Sequence, residues 1–434
     1  MEWYVLLTGA FFLLLALFAT GLPIFLSFLT LNLIGLYLMT GNFGGVLLVV
    51  NSMFDTGTSI SLAAIPLFIL LGEILFRSGA VRILFNAVDA VIGNIRARLY
   101  AVTIVLSTIF GALSGSAMAV AAMMGSSLLP EMRSRGYDRN LSVGAILAGS
   151  SLAPIIPPSV MAVVLGILSG VSIAELLIAG IVPGILLALA FFIYIVIRGW
   201  RNPDLAPLSP RADLPGRERA LLVLKALPFL LIIVTILGLI LGGVATPTES
   251  AAMGCVVAAV ICSILGDLKF AKLVEAVRST AWITGMIMII MVSSVSFSQI
   301  LNMTGVTFEL VAFVTSLALP VVLIFIVLQA LPLILCMFID QIALMILLVP
   351  LYQPIITGLE FDPLWFWTIF LINMSIGGIT PPFGYTLFAL QGVARDVPIQ
   401  SVYRAAVPFV LIFLLMIVVL ALLPDIILYL PSFV

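Results

Sequence analysis

Two stretches carry the residues whose types and spacing could do chemistry: "AGSSLAPIIPPSV", residues 148–160, and "NMSIGGITPPFGY", residues 373–385. Each sets a Pro-Pro pair, Pro157–Pro158 or Pro381–Pro382, among hydroxyl-bearing and small residues inside an apolar segment. Proline supplies no N–H and blocks the carbonyl four residues back, so helical bonding is lost around each pair. Carbonyls freed in hydrocarbon are costly unless they line a protein cavity or coordinate something. Several carbonyl and hydroxyl oxygens suit a hard cation such as sodium, and the half-helix restarting beyond each pair presents free N–H groups to an anion. For either motif alone the competing reading is a proline kink filled by neighbouring side chains. Finding the motif twice favours a paired cation and carboxylate site.

The surroundings are those of a polytopic, all-α membrane protein: of 434 residues, 63% are hydrophobic and 9% charged. A net charge of −1, spread among short polar windows, gives no basic face for nucleic acid. The chain has no histidine, which removes Ser/His/Asp hydrolysis, His-ligated zinc or haem, and a histidine proton relay. Glu73, Glu249 and Asp340 are scattered single acids, whereas an aspartyl intramembrane protease needs two cooperating carboxylates. These observations predict transport rather than catalysis, with no cofactor. Cys255, Cys262 and Cys336 lie in apolar segments and read as small core residues. The opening "MEWYVLLTGAFFLLLALFATGLP" lacks a basic region ahead of its apolar run, and reads as a retained first helix.

One internal offset recurs. Moving 224 residues carries Pro23 onto Pro247, Ser116 onto Asp340, Ser151 onto Ser375, and Pro157–Pro158 onto Pro381–Pro382. The expected organisation is two repeats, 1–199 and 220–434, joined by a polar, proline-rich cytoplasmic linker at 200–219. All 18 Lys and Arg residues fall in five windows, 77–98, 133–139, 198–225, 269–278 and 395–404, which the positive-inside rule makes cytoplasmic. Windows 40–61, 302–309 and 357–363 carry acids without Lys or Arg and belong outside.

Residues 99–131 therefore leave and re-enter the cytoplasmic side, while 310–356 leave and re-enter the outside. The first repeat is expected to hold a re-entrant hairpin at about 81–131 and a broken helix at about 142–168. The second holds a hairpin at about 310–356 and a broken helix at about 364–391. Equivalent hairpins entering from opposite faces make the repeats inverted and put both termini outside, an architecture suited to alternating access.

The hairpin tips are "GALSGSAMA", residues 111–119, and "LCMFIDQIA", residues 335–343. Small residues in the first tip serve either close backbone approach to a ligand or helix packing. Asp340 has two readings of equal weight, N-cap of a hairpin helix or support of an ion site. Ser116, Ser151, Asp340 and Ser375 are the candidates for contacting substrate or supporting the ion sites. Glu73 pairs with Arg77 at helical spacing, and Glu249 caps a helix start.

Together "GLP", "PLFILLGEILFRSG", "SGSA", "IIPPS", "AGIVPG", "ATPTESAA", "MFID" and "GGITPPFG" make the chain resemble the large membrane subunit of tripartite ATP-independent periplasmic (TRAP) transporters over nearly its whole length. The resemblance implies an elevator-type, sodium-driven importer of an organic anion such as a C4-dicarboxylate or sialic acid, in a bacterial or archaeal inner membrane. It also implies two partners, a soluble periplasmic substrate-binding protein and a small four-helix membrane subunit. Carried over by motif, the first sodium site lies near Ser114, Ala153, Ile156 and Pro158, and the second near Cys336, Gly377 and Thr380. The family commonly has glycine where Cys336 stands, which bears on close backbone approach at the second tip. The alternatives are a stand-alone sodium/carboxylate symporter of the same superfamily and a passive channel. A channel needs a continuous polar path, whereas the polar motifs cluster at two points.

The inverted topology predicts that cysteines introduced as Ser52→Cys and Glu360→Cys react with an impermeant thiol reagent from outside, and Arg211→Cys only from inside. Labelling at Ser52→Cys from inside would overturn the inversion.

Overall fold

The computed structural model describes residues 3–40, 46–92, 97–207, 215–317, 319–382 and 384–433, so Arg211 lies outside the described residues; Glu360 is exposed, but Ser52 is buried, so a cysteine there would not react in the folded chain. Helices α1 (Trp3–Ala19), α2 (Ile24–Thr40), α3 (Val46–Gly57), α4 (Ala64–Arg77) and α5 (Ala80–Val91) precede a hairpin of α6 (Arg98–Ser114) and α7 (Ala117–Ser134). An interrupted helix follows, α8 (Arg139–Ser150) and α9 (Val160–Ser169), then α10 (Ile173–Ala179) and α11 (Ile181–Arg201). The second half opens with α12 (Gly216–Leu241), α13 (Pro247–Ile264), the 34-residue α14 (Phe270–Met303) and α15 (Val306–Ser316). A second hairpin, α16 (Val321–Leu335) and α17 (Gln341–Gly358), leads to a second interrupted helix, α18 (Pro363–Gly377) and α19 (Tyr385–Val393). The chain ends in α20 (Ile399–Leu422) and α21 (Asp425–Leu428). Seven helices among the described residues are long and apolar enough to cross a membrane.

Local chemistry sets the helix starts. Asp138 and Asp362 cap the two interrupted helices, each accepting a bond of 2.8 Å, from Leu141 N and Trp365 N respectively. Ser116 and Asp340 cap the second arms of the two hairpins. Thr246 and Glu249 close a reciprocal capping box at the start of α13, as the sequence suggested for Glu249. Glu73 pairs with Arg77 at 2.9 Å, and Arg77 also reaches Glu275 of α14 at 2.8 Å.

The helices pack as two groups. In one, α4 lies against α13 and α14, α12 against α13 and α5, and α14 against α2 and α3. In the other, α6 and α20 pack on α8 and α16 packs on α18, while the second arm of each hairpin lies along the far half of the opposite interrupted helix, α7 on α19 and α17 on α9. The groups meet where α4 touches α6 and α9 and where α14 touches α17. In a bilayer close packing drives this association, since lipid is as apolar as leucine. Gly72 of α4 shows how close: a Cβ there would sit 2.7 Å from the Ser114 carbonyl oxygen.

Two boundaries differ from the sequence expectation. The segments about 81–131 and about 310–356 each contain a separate helix, α5 and α15, ahead of the hairpin. Gly79 and Gly305, both left-handed, precede these helices. In the expected linker, α11 runs on to Arg201, and Tyr100 donates a 2.6 Å bond to the Leu205 carbonyl, fastening the linker's start to the base of the first hairpin.

Candidate functional site

Both helix interruptions lie beneath hairpin tips. At the first, α8 ends in a run of turns from Ser151 to Pro158, and α9 restarts after Ser159, whose hydroxyl accepts from Ala162 N and donates to the Pro154 carbonyl. The first tip covers this run. A Cβ on Gly111 would stand 3.0 Å from Ala153 Cα, and one on Gly115 would stand 3.2 Å from Val160 N and 3.4 Å from the Pro158 oxygen. Gly115 also has φ +61°, so glycine serves both the tip turn and the contact.

The carbonyls of Ala153, Ile156 and Pro158 accept no hydrogen bond among the described residues. These three residues are buried. An unsatisfied polar group buried in apolar surroundings costs roughly 2–7 kcal/mol. Three of them would consume much of the roughly 5–15 kcal/mol net stability of a typical domain. Open carbonyl oxygens in the turns beneath a hairpin tip are suited to a cation. Ser114 at the tip keeps its hydroxyl oxygen 3.5 Å from Ser116 N, while its backbone faces Gly72.

The second break satisfies more of itself. Gly377 O accepts from Thr380 N at 3.3 Å, Thr380 O from Gly384 N at 3.1 Å, Gly378 O from Thr386 N at 3.0 Å, and Pro382 O from the Tyr403 hydroxyl at 2.7 Å. Thr380 donates its hydroxyl hydrogen to the Ile376 carbonyl at 2.7 Å, leaving the oxygen's lone pairs open. Carbonyls bonded once retain a second lone pair. Cys336 sits directly on Gly377, where a Cβ would overlap the cysteine Cβ and lie 2.5 Å from its Sγ. The structure thus brings Cys336 and Gly377 together, with Thr380 in the same turn.

The four supporting candidates sort differently. Ser116 and Asp340 are helix caps, Asp340 Oδ1 accepting from Ile342 N at 3.0 Å and Ala343 N at 3.3 Å. Asp340 is nonetheless exposed at its tip. Ser151 and Ser375 bond back to their own helices, to the Ala148 carbonyl at 2.7 Å and the Leu371 carbonyl at 3.0 Å. Those hydroxyls therefore secure the helix ends before each break. Sequence reasoning missed Ser159, Gly72 and Gly115. Ser159 had a signal, a hydroxyl residue between a proline pair and an apolar run; the two glycines are explained only by what packs on them.

Helical hairpins laid over interrupted helices define a polytopic membrane transporter, and the fold matches a solved one. The YdaH transporter of Alcanivorax borkumensis superposes with a TM-score of 0.64 over 90% of this chain and 88% of that one, at 14% identity, a likeness of fold alone. The ectoine/5-hydroxyectoine TRAP transporter large permease protein of Ruegeria pomeroyi is 33% identical over 97% of both chains. The C4-dicarboxylate TRAP transporter large permease protein of Pseudomonas aeruginosa is 32% identical over 88% of both. Residues 11–426 match the family described as tripartite ATP-independent periplasmic transporter, DctM component, and the chain belongs to that family.

The Gly377 contact makes a reciprocal prediction. Gly377→Ala should lower transport by about tenfold or more, because the added methyl must displace the second tip at a cost of roughly 1–3 kcal/mol. Cys336→Gly in the same chain should restore most of the loss by reopening that space. Uptake by the two variants, normalised to folded protein, checks this.

Proposed function

We propose that this large permease subunit imports a carboxylate-bearing organic anion by sodium-coupled, elevator-type alternating access. The observation that carries the reading is the first break, where the carbonyls of three buried residues accept no hydrogen bond among the described residues and the turns lie beneath a glycine tip. Sodium held by Ala153, Ile156 and Pro158 with Ser114 would supply the missing partners there. A second sodium would sit with Cys336, Gly377 and Thr380. The N–H groups at the starts of α9 and α19 would then face the substrate carboxylate.

The same succession of helices follows in both halves, with α7 and α17 starting 224 residues apart, as do α8 and α18. This supports two inverted-topology repeats. The group holding α4, α12 and α14 would serve as the static scaffold, and the hairpins with their interrupted helices as the moving body. Ion binding lowers the cost of the broken backbone and so favours the closed tip, coupling the sodium gradient to passage of the substrate.

A substrate carboxylate is common to the molecules after which the two relatives are named, ectoine and C4-dicarboxylates. Delivery by a periplasmic binding protein, assembly with a small four-helix membrane subunit, and an inner-membrane location follow from the family reading. The chain contains no GxxxxGK[ST] phosphate loop, in keeping with an ion gradient as the energy source.

In liposomes holding the complex, uptake should require an inward sodium gradient and the binding protein, and proceed without ATP. Uptake indifferent to collapse of the sodium gradient would refute the coupling. Uptake without the binding protein would favour the stand-alone symporter.

A further inference from the structure

Gln341, the first residue of α17, is fully buried at the second hairpin tip. Its Nε2 donates to the carbonyl of Met374, in the last turn of α18 before the break. Its Oε1 accepts the hydroxyl of Tyr385, the first residue of α19 beyond the break, at 2.7 Å. One amide thus joins the hairpin to both halves of the interrupted helix. Tyr385 is held for this bond by its ring lying over Gly378, where a Cβ would stand 2.9 Å from the ring carbons.

We propose that Gln341 and Tyr385 form a clasp that holds the second hairpin tip shut over its break, Gln341 acting as a positioning residue for the site formed by Cys336, Gly377 and Thr380. The chemistry is complementary in one orientation. Accepting from Tyr385 fixes the amide oxygen, and the amide's NH2 is then turned to Met374, whose carbonyl is among those a helix end leaves without a donor. A second amide reaches the other arm: Asn373 Nδ2 of α18 donates to the carbonyl of Gln329 in α16 at 2.5 Å, so α16 is tied to α18 as well.

The first break has no counterpart. At the 224-residue offset Ala117 stands for Gln341 and Met161 for Tyr385, and neither side chain can make this bridge. Among the described residues the first tip meets its break through close glycine contacts, at Gly111 and Gly115. The two hairpins are therefore held differently, the first by packing and the second by a directional polar bond. The functional consequence, though not the clasp itself, rests on reading the second break as a sodium site.

Cys336 reports on the tip directly, being 3% exposed where it packs on Gly377, and Cys262 in α13 is a buried control for global unfolding. The purified transporter complex is treated with N-ethylmaleimide, and modification of each cysteine is followed by mass spectrometry. Losing one hydrogen bond of ordinary strength should raise Cys336 labelling about fivefold in Tyr385→Phe, and losing both should raise it further in Gln341→Ala, with Cys262 unchanged. Gln341→Glu should also raise Cys336 labelling, because a carboxylate accepts from Tyr385 but cannot donate to Met374. Should Gln341→Ala expose Cys262 as well, Tyr385→Phe decides, since it removes a single oxygen and keeps the ring on Gly378.

In uptake by the same complex, the sodium concentration for half-maximal rate should rise about fivefold, with substrate half-saturation unchanged at saturating sodium. Wild-type labelling of Cys336 in both folded variants overturns the clasp. If the variants expose Cys336 while sodium never protects it in the wild type, the clasp stands and the sodium assignment of the second site falls.

Discussion

A broken helix inside a membrane must have its freed backbone groups satisfied by the protein, because hydrocarbon offers no water to do so. The rest of this structure is arranged around that constraint. The turns at 151–159 and 378–382 interrupt α8–α9 and α18–α19. Each is roofed by a hairpin tip and flanked by the other half of the molecule, through the packing of α17 on α9 and α7 on α19. The caps serve the same need: Ser116, Asp340 and Ser159 each satisfy N–H groups at a helix start beside the tips and breaks, and Asp138 and Asp362 do so at the far ends of the interrupted helices.

The two breaks solve the problem unequally. At the first, the protein leaves the carbonyls of Ala153, Ile156 and Pro158 open and closes over them with glycines. At the second, it bonds most of the turn internally and adds the Gln341 bridge. A site with open oxygens gains most from a bound cation, whereas a pre-bonded one depends on its scaffolding for geometry. On the proposed function, the same backbone groups would link cation occupancy and hairpin closure at both breaks, with a different balance at each.

Much of this was legible in the sequence. Proline chemistry located both breaks, and the recurring offset paired Ser116 with Asp340, which the structure uses alike as hairpin caps. Glu73 with Arg77 and Thr246 with Glu249 followed from helical spacing and capping rules. What was not legible depends on contacts distant in the chain. Gln341 meets Met374 and Tyr385 at separations of 33 and 44 residues, and nothing local marks it. Gly72 acquires meaning only beside Ser114, from a different helix. Ser151 and Ser375 matched across the offset, yet their hydroxyls turn back to their own helices, a choice that periodicity cannot register.

The central claim is that the paired breaks are cation sites built largely from backbone oxygens. Equilibrium binding of radiolabelled sodium to the purified complex, in the absence of substrate and in excess potassium, tests it most directly. The account predicts saturable binding approaching two ions per chain, undisturbed by potassium. A complex that is folded and active in transport, yet binds no sodium saturably under those conditions, would contradict it.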